Sequence, residues 1–260
     1  MSDSTTDLRV SLVQTDLVWD SPSSNCANLE EQLIHLVGQT DLIILPEMFT
    51  TGFSMSAAHA EIPNGPSTQW MQMLAKRLDS LIVGSIKIKE KFGLVNRLIV
   101  AFPDGSFQSY DKKHLFRMGM EHEIYQPGTE KLVFSYKGWR ISPFICYDLR
   151  FPVFARNTEN YDLLLYVANW PKPRINAWDI LIKARSVENM CYTIGVNRVG
   201  LDSNNLEYIG HSQVVDYLGN SILEPQESEA VFIVELNKDK MLETRNKLNF
   251  LNDRDAFNLV

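Results

Sequence analysis

The chain has 260 residues, 45% of them hydrophobic and 22% charged, with a formal net charge of −7. That length and balance suit a globular protein with a substantial core. The acidic balance argues against a general nucleic-acid binder, which carries a basic face, and no uncharged apolar run approaches the ~20 residues of a membrane span. Three cysteines, Cys26, Cys146 and Cys191, make no disulfide framework and point to a reducing compartment, the cytoplasm. The polar start from Met1 to Asp7 lacks the basic-then-apolar pattern of a secretory leader.

Leu8–Val13 reads as a first strand. Ser21-Pro22 signals a helix start, and Leu29, Leu33, Ile34 and Val37 form an apolar stripe that ends at Gly38. Asp41 to Pro46 is a nearly continuous apolar run, the pattern of a strand buried on both faces. Glu47 follows it. The stretch from Gly52 to Gly65 is the least regular in the chain, and its place after Glu47 suits either a loop covering a site or an ordinary connection. Ser67–Leu78 reads as a second helix, and Leu81–Lys89 and Leu94–Phe102 as strands. Pro103-Asp104-Gly105 turns the latter into Phe107–Tyr110.

Leu132–Tyr136, a turn at Lys137-Gly138, and Trp139–Cys146 form another hairpin, and Pro152 marks a helix start just beyond it. Leu163–Ala168 is a second apolar strand, ending in Asn169-Trp170-Pro171. A helix over Ile175–Met190 and a strand over Tyr192–Val196 come next. His211–Tyr217, a turn at Leu218-Gly219-Asn220 and Val231–Glu235 complete the sheets. The polar tail from about residue 238 packs on the domain or on a partner subunit. Strands alternating with helices, plus hairpins, predict one α/β domain over 1–260, with mixed sheets and helices outside. Pattern alone does not separate a sandwich from a single doubly wound sheet.

Three element ends carry chemistry. Cys146 closes an apolar strand, and polar Tyr147, Asp148 and Arg150 follow, so the chain leaves the core where a reactive thiol would need to sit. The competing reading, a small buried hydrophobe, suits Cys26 and Cys191 better. Glu47 is an exposed strand-end carboxylate, a helix cap, or a partly desolvated base competent near neutral pH. Lys112 and Lys113 alternate, so one faces solvent and the other can point inward to hold an oxyanion. His114 shares a face with Lys112, and either activates the thiol or braces the loop. His35, His59, His122 and His211 show no metal-ligand spacing, and there is no phosphate-binding glycine motif.

Taken together, Leu45-Pro46-Glu47-Met48-Phe49, Lys112-Lys113-His114-Leu115-Phe116 and Ile145-Cys146-Tyr147-Asp148-Leu149-Arg150 resemble, in type and order, the nitrilase superfamily of carbon–nitrogen hydrolases. Tyr166–Pro171 and Ala184–Asn189 add to the likeness, which runs to about residue 235. The resemblance implies a four-layer αββα sandwich and a homodimer or higher homo-oligomer, with no metal or organic cofactor. It implies Glu47 as base, Cys146 as nucleophile, and Lys112 rather than Lys113 as the cation. Glu121, seven residues before Gly128, is implied as a fourth catalytic residue, and the Tyr147 N–H as a second oxyanion donor.

Within the superfamily the motifs look most like bacterial omega-amidases. That implies a small-molecule amide substrate, 2-oxoglutaramate or 2-oxosuccinamate, hydrolysed through a cysteine thioester to a 2-oxo dicarboxylate and ammonia. Another amidase of the superfamily, an N-carbamoyl hydrolase or a nitrilase using the same site is the alternative. A substrate carboxylate needs a cation, for which Arg150 and Arg117 are the candidates. The competing role for Arg150 is a structural ion pair with Asp148 or another nearby acid. Phe116, Tyr147, Asn169 and Trp170 complete the expected pocket.

Overall fold

A computed structural model describes residues 7–259, and Met1–Thr6, on which most of the leader argument falls, lies outside the described residues. In chain order the elements are β1 (Leu8–Gln14), α1 (Pro22–Leu33), β2 (Leu42–Ile44), α2 (Pro66–Leu78), β3 (Leu81–Glu90), β4 (Gly93–Ala101), β5 (Phe107–Asp111), α3 (Glu121–Ile124), β6 (Phe134–Tyr136), β7 (Trp139–Ile145), β8 (Leu163–Ala168), α4 (Ile175–Asn189), β9 (Tyr192–Asn197), β10 (Val199–Leu201), β11 (Glu207–Ile209), β12 (Ser212–Val215), β13 (Ser221–Gln226), β14 (Ala230–Leu236) and α5 (Lys238–Leu248). No helix among the described residues is long and apolar enough to cross a membrane.

Two six-stranded sheets carry the fold, ordered β14-β1-β2-β3-β4-β5 and β13-β12-β9-β8-β7-β6. Each has a parallel centre, β1-β2-β3 in the first and β7-β8-β9 in the second, with antiparallel strands at its edges. Side-chain alternation in the first sheet sorts its residues to two faces. Leu8, Val10, Leu12, Leu42, Ile44, Leu81 and Val83 join residues of the second sheet in one core. Val13, Ile43, Leu45, Ile82, Ile86 and Ile99 face the other way, against Leu29 and Leu33 of α1 and Met71, Leu74 and Leu78 of α2. On the far side of the second sheet α4 buries Trp178 and Ile182. The layers are therefore helix, sheet, sheet, helix, and each fully buried Leu, Ile or Val contributes about 1.5–3 kcal/mol.

Several elements differ from the pattern reading. The first helix tightens into a short 3-10 helix at Ile34–Leu36, which buries Leu36 and leaves Val37 55% exposed. Three residues per turn rotate the stripe by one position. Pro152 starts no helix; the helical turn is a 3-10 helix over Cys146–Arg150, before it. The expected strand at His211–Tyr217 is shorter, Ser212–Val215. His211 precedes it with φ of 63°, a left-handed break that no strand continues through. Val231–Glu235 lies within β14, but β14 pairs with β1 and so returns to the first sheet. The tail forms α5, which packs on the second half of the chain. Its Met241 is buried, and Arg245 bonds Asp162 Oδ1 at 3.0 Å and the Tyr161 carbonyl at 2.6 Å.

Candidate active site

Four strand ends meet at one edge of the sandwich. Glu47 lies just past β2, Lys112 directly follows β5, Cys146 directly follows β7, and Asn169 directly follows β8. The carboxyl ends of parallel strands are where open α/β sheets place ligands. β2 belongs to one sheet, and β7 and β8 to the other, so the site is assembled only when the two sheets pack.

Lys112 is fully buried between two fully buried carboxylates. Its Nζ donates to Glu47 Oε1 at 2.8 Å and to Glu121 Oε1 at 3.0 Å, and lies 2.9 Å from Glu121 Oε2. Asn96 Nδ2 bridges the same carboxylates, at 2.9 Å to Glu47 and 3.3 Å to Glu121. The second oxygen of each is tied to backbone: Glu47 Oε2 accepts from Asn169 N at 2.8 Å, and Glu121 Oε2 from Phe116 N at 2.6 Å. Gly128 N donates to the Lys112 carbonyl at 2.9 Å, fixing the lysine from the other side.

Electrostatics follow from that burial. Burial alone would lower the Lys112 pKa, but Glu121 and Glu47 outweigh it and hold the ammonium above its ordinary range. Burial raises Glu121 above the usual carboxylate range despite Lys112. Burial also pushes the Cys146 thiol well above 9.0, helped by the negative Glu47 and opposed by Lys112. At neutral pH the cluster therefore holds a protonated thiol beside one cation and two carboxyl groups.

Cys146 stands at a sharp turn. Its φ is 45°, a conformation that costs a non-glycine residue on the order of 1–3 kcal/mol. Asp148 stabilises the turn, accepting from Ile145 N at 3.0 Å and Tyr110 Oη at 2.7 Å on Oδ2. The Tyr147 N–H falls at the start of a 3-10 helix, where backbone donors lack helical partners.

Cys146 opens into a cavity of about 250 Å³. Phe116, Tyr147, Arg150, Asn169 and Trp170 line it together with Cys146. Asn169 also donates its Nδ2 to the Glu47 carbonyl at 2.6 Å, so it braces the carboxylate as well as facing the cavity. Arg150 lies 5.0 Å from the Trp170 ring and makes no ion pair with Asp148. Asp148 is taken by His114, whose backbone N and Nδ1 approach its Oδ1 at 2.9 and 2.8 Å.

Arg117, expected in this pocket, instead lines a separate cavity with Lys113, His114 and His122. Its 3-10 helix, Arg117–Gly119, carries the side chain past the Phe116 wall. His114 stacks on Phe151 at 3.7 Å and likewise faces away from the Cys146 cavity, which fits the brace rather than the thiol activator. Sequence reasoning missed Asn96, Arg174, Phe53 and Met55. The last two come from the irregular 52–65 loop, which does wall the cavity. Asn96 sits mid-strand on β4, where no element end marked it. Among the described residues no group of His, Cys, Asp and Glu could hold a metal ion.

Comparison with known proteins fits this geometry. Omega-amidase YafV of Yersinia enterocolitica is 42% identical over 254 residues, covering 97% of this chain and 99% of that protein. The 2-oxoglutaramate amidase of Bacillus subtilis is 29% identical over 250 residues, covering 94% and 96%. The crystal structure of XC1258 from Xanthomonas campestris, a CN-hydrolase superfamily protein with an arsenic adduct in the active site, matches with a TM-score of 0.96 and 45% identity, covering 98% of this chain and 100% of that one. The carbon-nitrogen hydrolase family profile matches residues 9–246, and the chain belongs to that family, within the nitrilase superfamily.

Proposed function

We propose that the protein is an omega-amidase, hydrolysing the terminal amide of 2-oxoglutaramate or 2-oxosuccinamate to the 2-oxo dicarboxylate and ammonia. The observation that carries the chemistry is the buried Glu47–Lys112–Glu121 cluster behind Cys146 at the cavity wall. The full-length likeness to an omega-amidase and to a 2-oxoglutaramate amidase supports the substrate class.

The steps assign one role to each group. Glu47 takes the Cys146 proton as sulfur attacks the amide carbonyl. Lys112 and the Tyr147 N–H receive the charge that develops on oxygen; each such donor is worth about 10²–10³ in rate. The C–N bond breaks as Glu47 returns the proton to nitrogen, and ammonia leaves a thioester. Water, deprotonated by Glu47, attacks the thioester, and the C–S bond breaks to free the acid and restore the thiol. Glu121 is a positioning residue, since its contacts are to Lys112, Asn96 and the Phe116 N–H.

Ammonia release from 2-oxoglutaramate and 2-oxosuccinamate, by the wild type and Cys146→Ala, tests this reading. Glutamine, an N-carbamoyl amino acid and a simple nitrile serve as competitors. Release from the 2-oxo amides, lost in Cys146→Ala, is the expected result. Faster turnover of the carbamoyl compound or the nitrile would move the protein to another branch of the same chemistry.

A further inference from the structure

We infer that Arg174 is a specificity-determining residue, whose guanidinium reads the carboxylate of the substrate in the Cys146 cavity. The inference rests on the omega-amidase reading for the identity of the substrate, but not for the charge it assigns.

Arg174 ends a 3-10 helix, Lys172–Arg174, immediately before α4. Two contacts fix its main chain: its N–H donates to the Pro171 carbonyl at 3.0 Å, and its carbonyl accepts from Trp170 Nε1 at 2.8 Å. The guanidinium lies 5.1 Å from the centre of the Phe116 ring, and both Arg174 and Phe116 line the cavity that holds Cys146. A ring contact of this kind orients the guanidinium without using its in-plane N–H donors. Half-buried Arg174 is more sheltered than exposed Arg150.

Charge accounting points the same way. Among the described residues Arg174 makes no ion pair, whereas its neighbour Lys172 is neutralised by Glu207 at 2.7 Å. The carboxylate on the cavity wall, Asp202, is engaged by its own loop: Oδ1 accepts from Asn204 N at 2.8 Å and Leu206 N at 3.0 Å, and Oδ2 from Tyr208 Oη at 3.2 Å. A protein of net charge −7 thus presents, to the space beside its thiol, two arginines that make no ion pair among the described residues. Local charge opposing net charge attracts an anion to that spot, and a planar guanidinium matches a carboxylate with two parallel bonds. Arg174 also touches the ring of the residue whose N–H fixes Glu121, so the carboxylate-reading group and the lysine cluster share one wall.

Two readouts test this on Arg174→Met, which keeps an apolar stem over Phe116 and removes the charge, and on Arg174→Lys. The first is the rate of Cys146 alkylation by iodoacetamide, with and without 2-oxoglutarate as a protecting dicarboxylate. The second is hydrolysis of 2-oxoglutaramate against a neutral amide, butyramide. Thermal unfolding checks that the variants fold. Protection by 2-oxoglutarate is expected in the wild type and lost in Arg174→Met. KM for 2-oxoglutaramate should rise about 10- to 100-fold with kcat within a few-fold, butyramide unaffected and Arg174→Lys intermediate. Equal protection in wild type and Arg174→Met, protection in neither, or equal losses on both amides would overturn the assignment. Hydrolysis of 2-oxoglutaramate with an unchanged KM in Arg174→Met leaves the omega-amidase reading standing and removes this one. Arg174-dependent protection without 2-oxoglutaramate hydrolysis does the reverse.

Discussion

Asp148 Oδ1 is held twice by one residue, His114, whose backbone N–H lies 2.9 Å away and whose Nδ1 lies 2.8 Å away. The other oxygen, Oδ2, accepts from Ile145 N and Tyr110 Oη. One buried carboxylate therefore ties the segment carrying Lys112 to the turn carrying Cys146. In Asp148→Asn the amide offers an acceptor on one side and N–H groups on the other, so one backbone N–H, that of His114 or of Ile145, loses its acceptor and its neighbour must reverse its role. Such a loss costs about 1–3 kcal/mol. We expect a lowered Tm and a kcat reduced by more than KM is raised, measured by thermal unfolding and steady-state ammonia release. His114→Ala should keep a measurable part of kcat, since its ring faces Asp148 and Phe151. Loss as complete as in Cys146→Ala would restore histidine as the thiol's activator.

Lys112 serves both stability and chemistry. Lys112→Met leaves Glu47 and Glu121 buried together without their cation, and breaking a buried pair costs about 3–5 kcal/mol. It also removes an oxyanion donor, at about 10²–10³ in rate. The two effects separate in a double variant. Adding Glu121→Gln to Lys112→Met should recover part of the lost stability and none of the lost rate, as read by chemical unfolding and by turnover. Recovery of both would mean that Lys112 acts only by holding the carboxylates apart.

The thiol gives a pH prediction. Burial, then the charge of Glu47, raise Cys146 well above 9.0, so the native state keeps a proton that the unfolded chain loses near that pH. Stability from this source is complete below about pH 9 and falls as pH climbs toward the folded-state value. Wild type should therefore lose more unfolding free energy between pH 8 and 10 than Cys146→Ala does. Glu47→Gln removes the negative neighbour, leaving Lys112 to favour the thiolate. Alkylation of Cys146 at pH 8 should speed up in this variant while hydrolysis falls at least about 10²-fold for lack of a base. Parallel loss of alkylation and hydrolysis would contradict this account of the thiol.

Much of this arrangement was legible in the chain. Glu47, Cys146 and Asn169 each follow an apolar strand run, and buried strands announce themselves by composition, whereas Lys112 follows the mixed hairpin strand Phe-Gln-Ser-Tyr-Asp. Their roles came from the likeness of ordered motifs, since an isolated strand-end glutamate or lysine looks like any other. Asn96 was invisible because a mid-strand asparagine carries no positional signal; its meaning lies in two carboxylates 49 and 25 residues away. Arg117 and Arg174 show the limit of nearness in sequence. Arg117 adjoins Phe116 yet faces another cavity, while Arg174 comes from beyond β8 to stack on that same Phe116. β13, Ser-Ile-Leu-Glu-Pro-Gln, holds a proline and a charge, which an edge strand tolerates but which give its sequence no strand signature.

Gly128 explains why the Glu121-to-Gly128 spacing matters physically. A Cβ built there would lie 2.1 Å from the Asp111 carbonyl oxygen, which is backbone and cannot rotate away. Asp111 ends β5, and the next residue is Lys112, whose carbonyl accepts from Gly128 N. Gly128→Ala must therefore push the strand end outward or break that bond, and either change displaces the ammonium from its carboxylates. Near-ångström displacements of a catalytic group cost about 10²-fold in rate. We expect kcat to fall by roughly that factor in Gly128→Ala, with KM little changed because the cavity walls at Phe116, Arg150 and Trp170 are untouched. Gly105→Ala, at a turn where the added Cβ meets nothing within 4 Å, is the control. Its positive φ strains the backbone, so it should lower Tm without altering kcat. Equal kcat in the two variants would show that the lysine's position does not depend on the Gly128 approach.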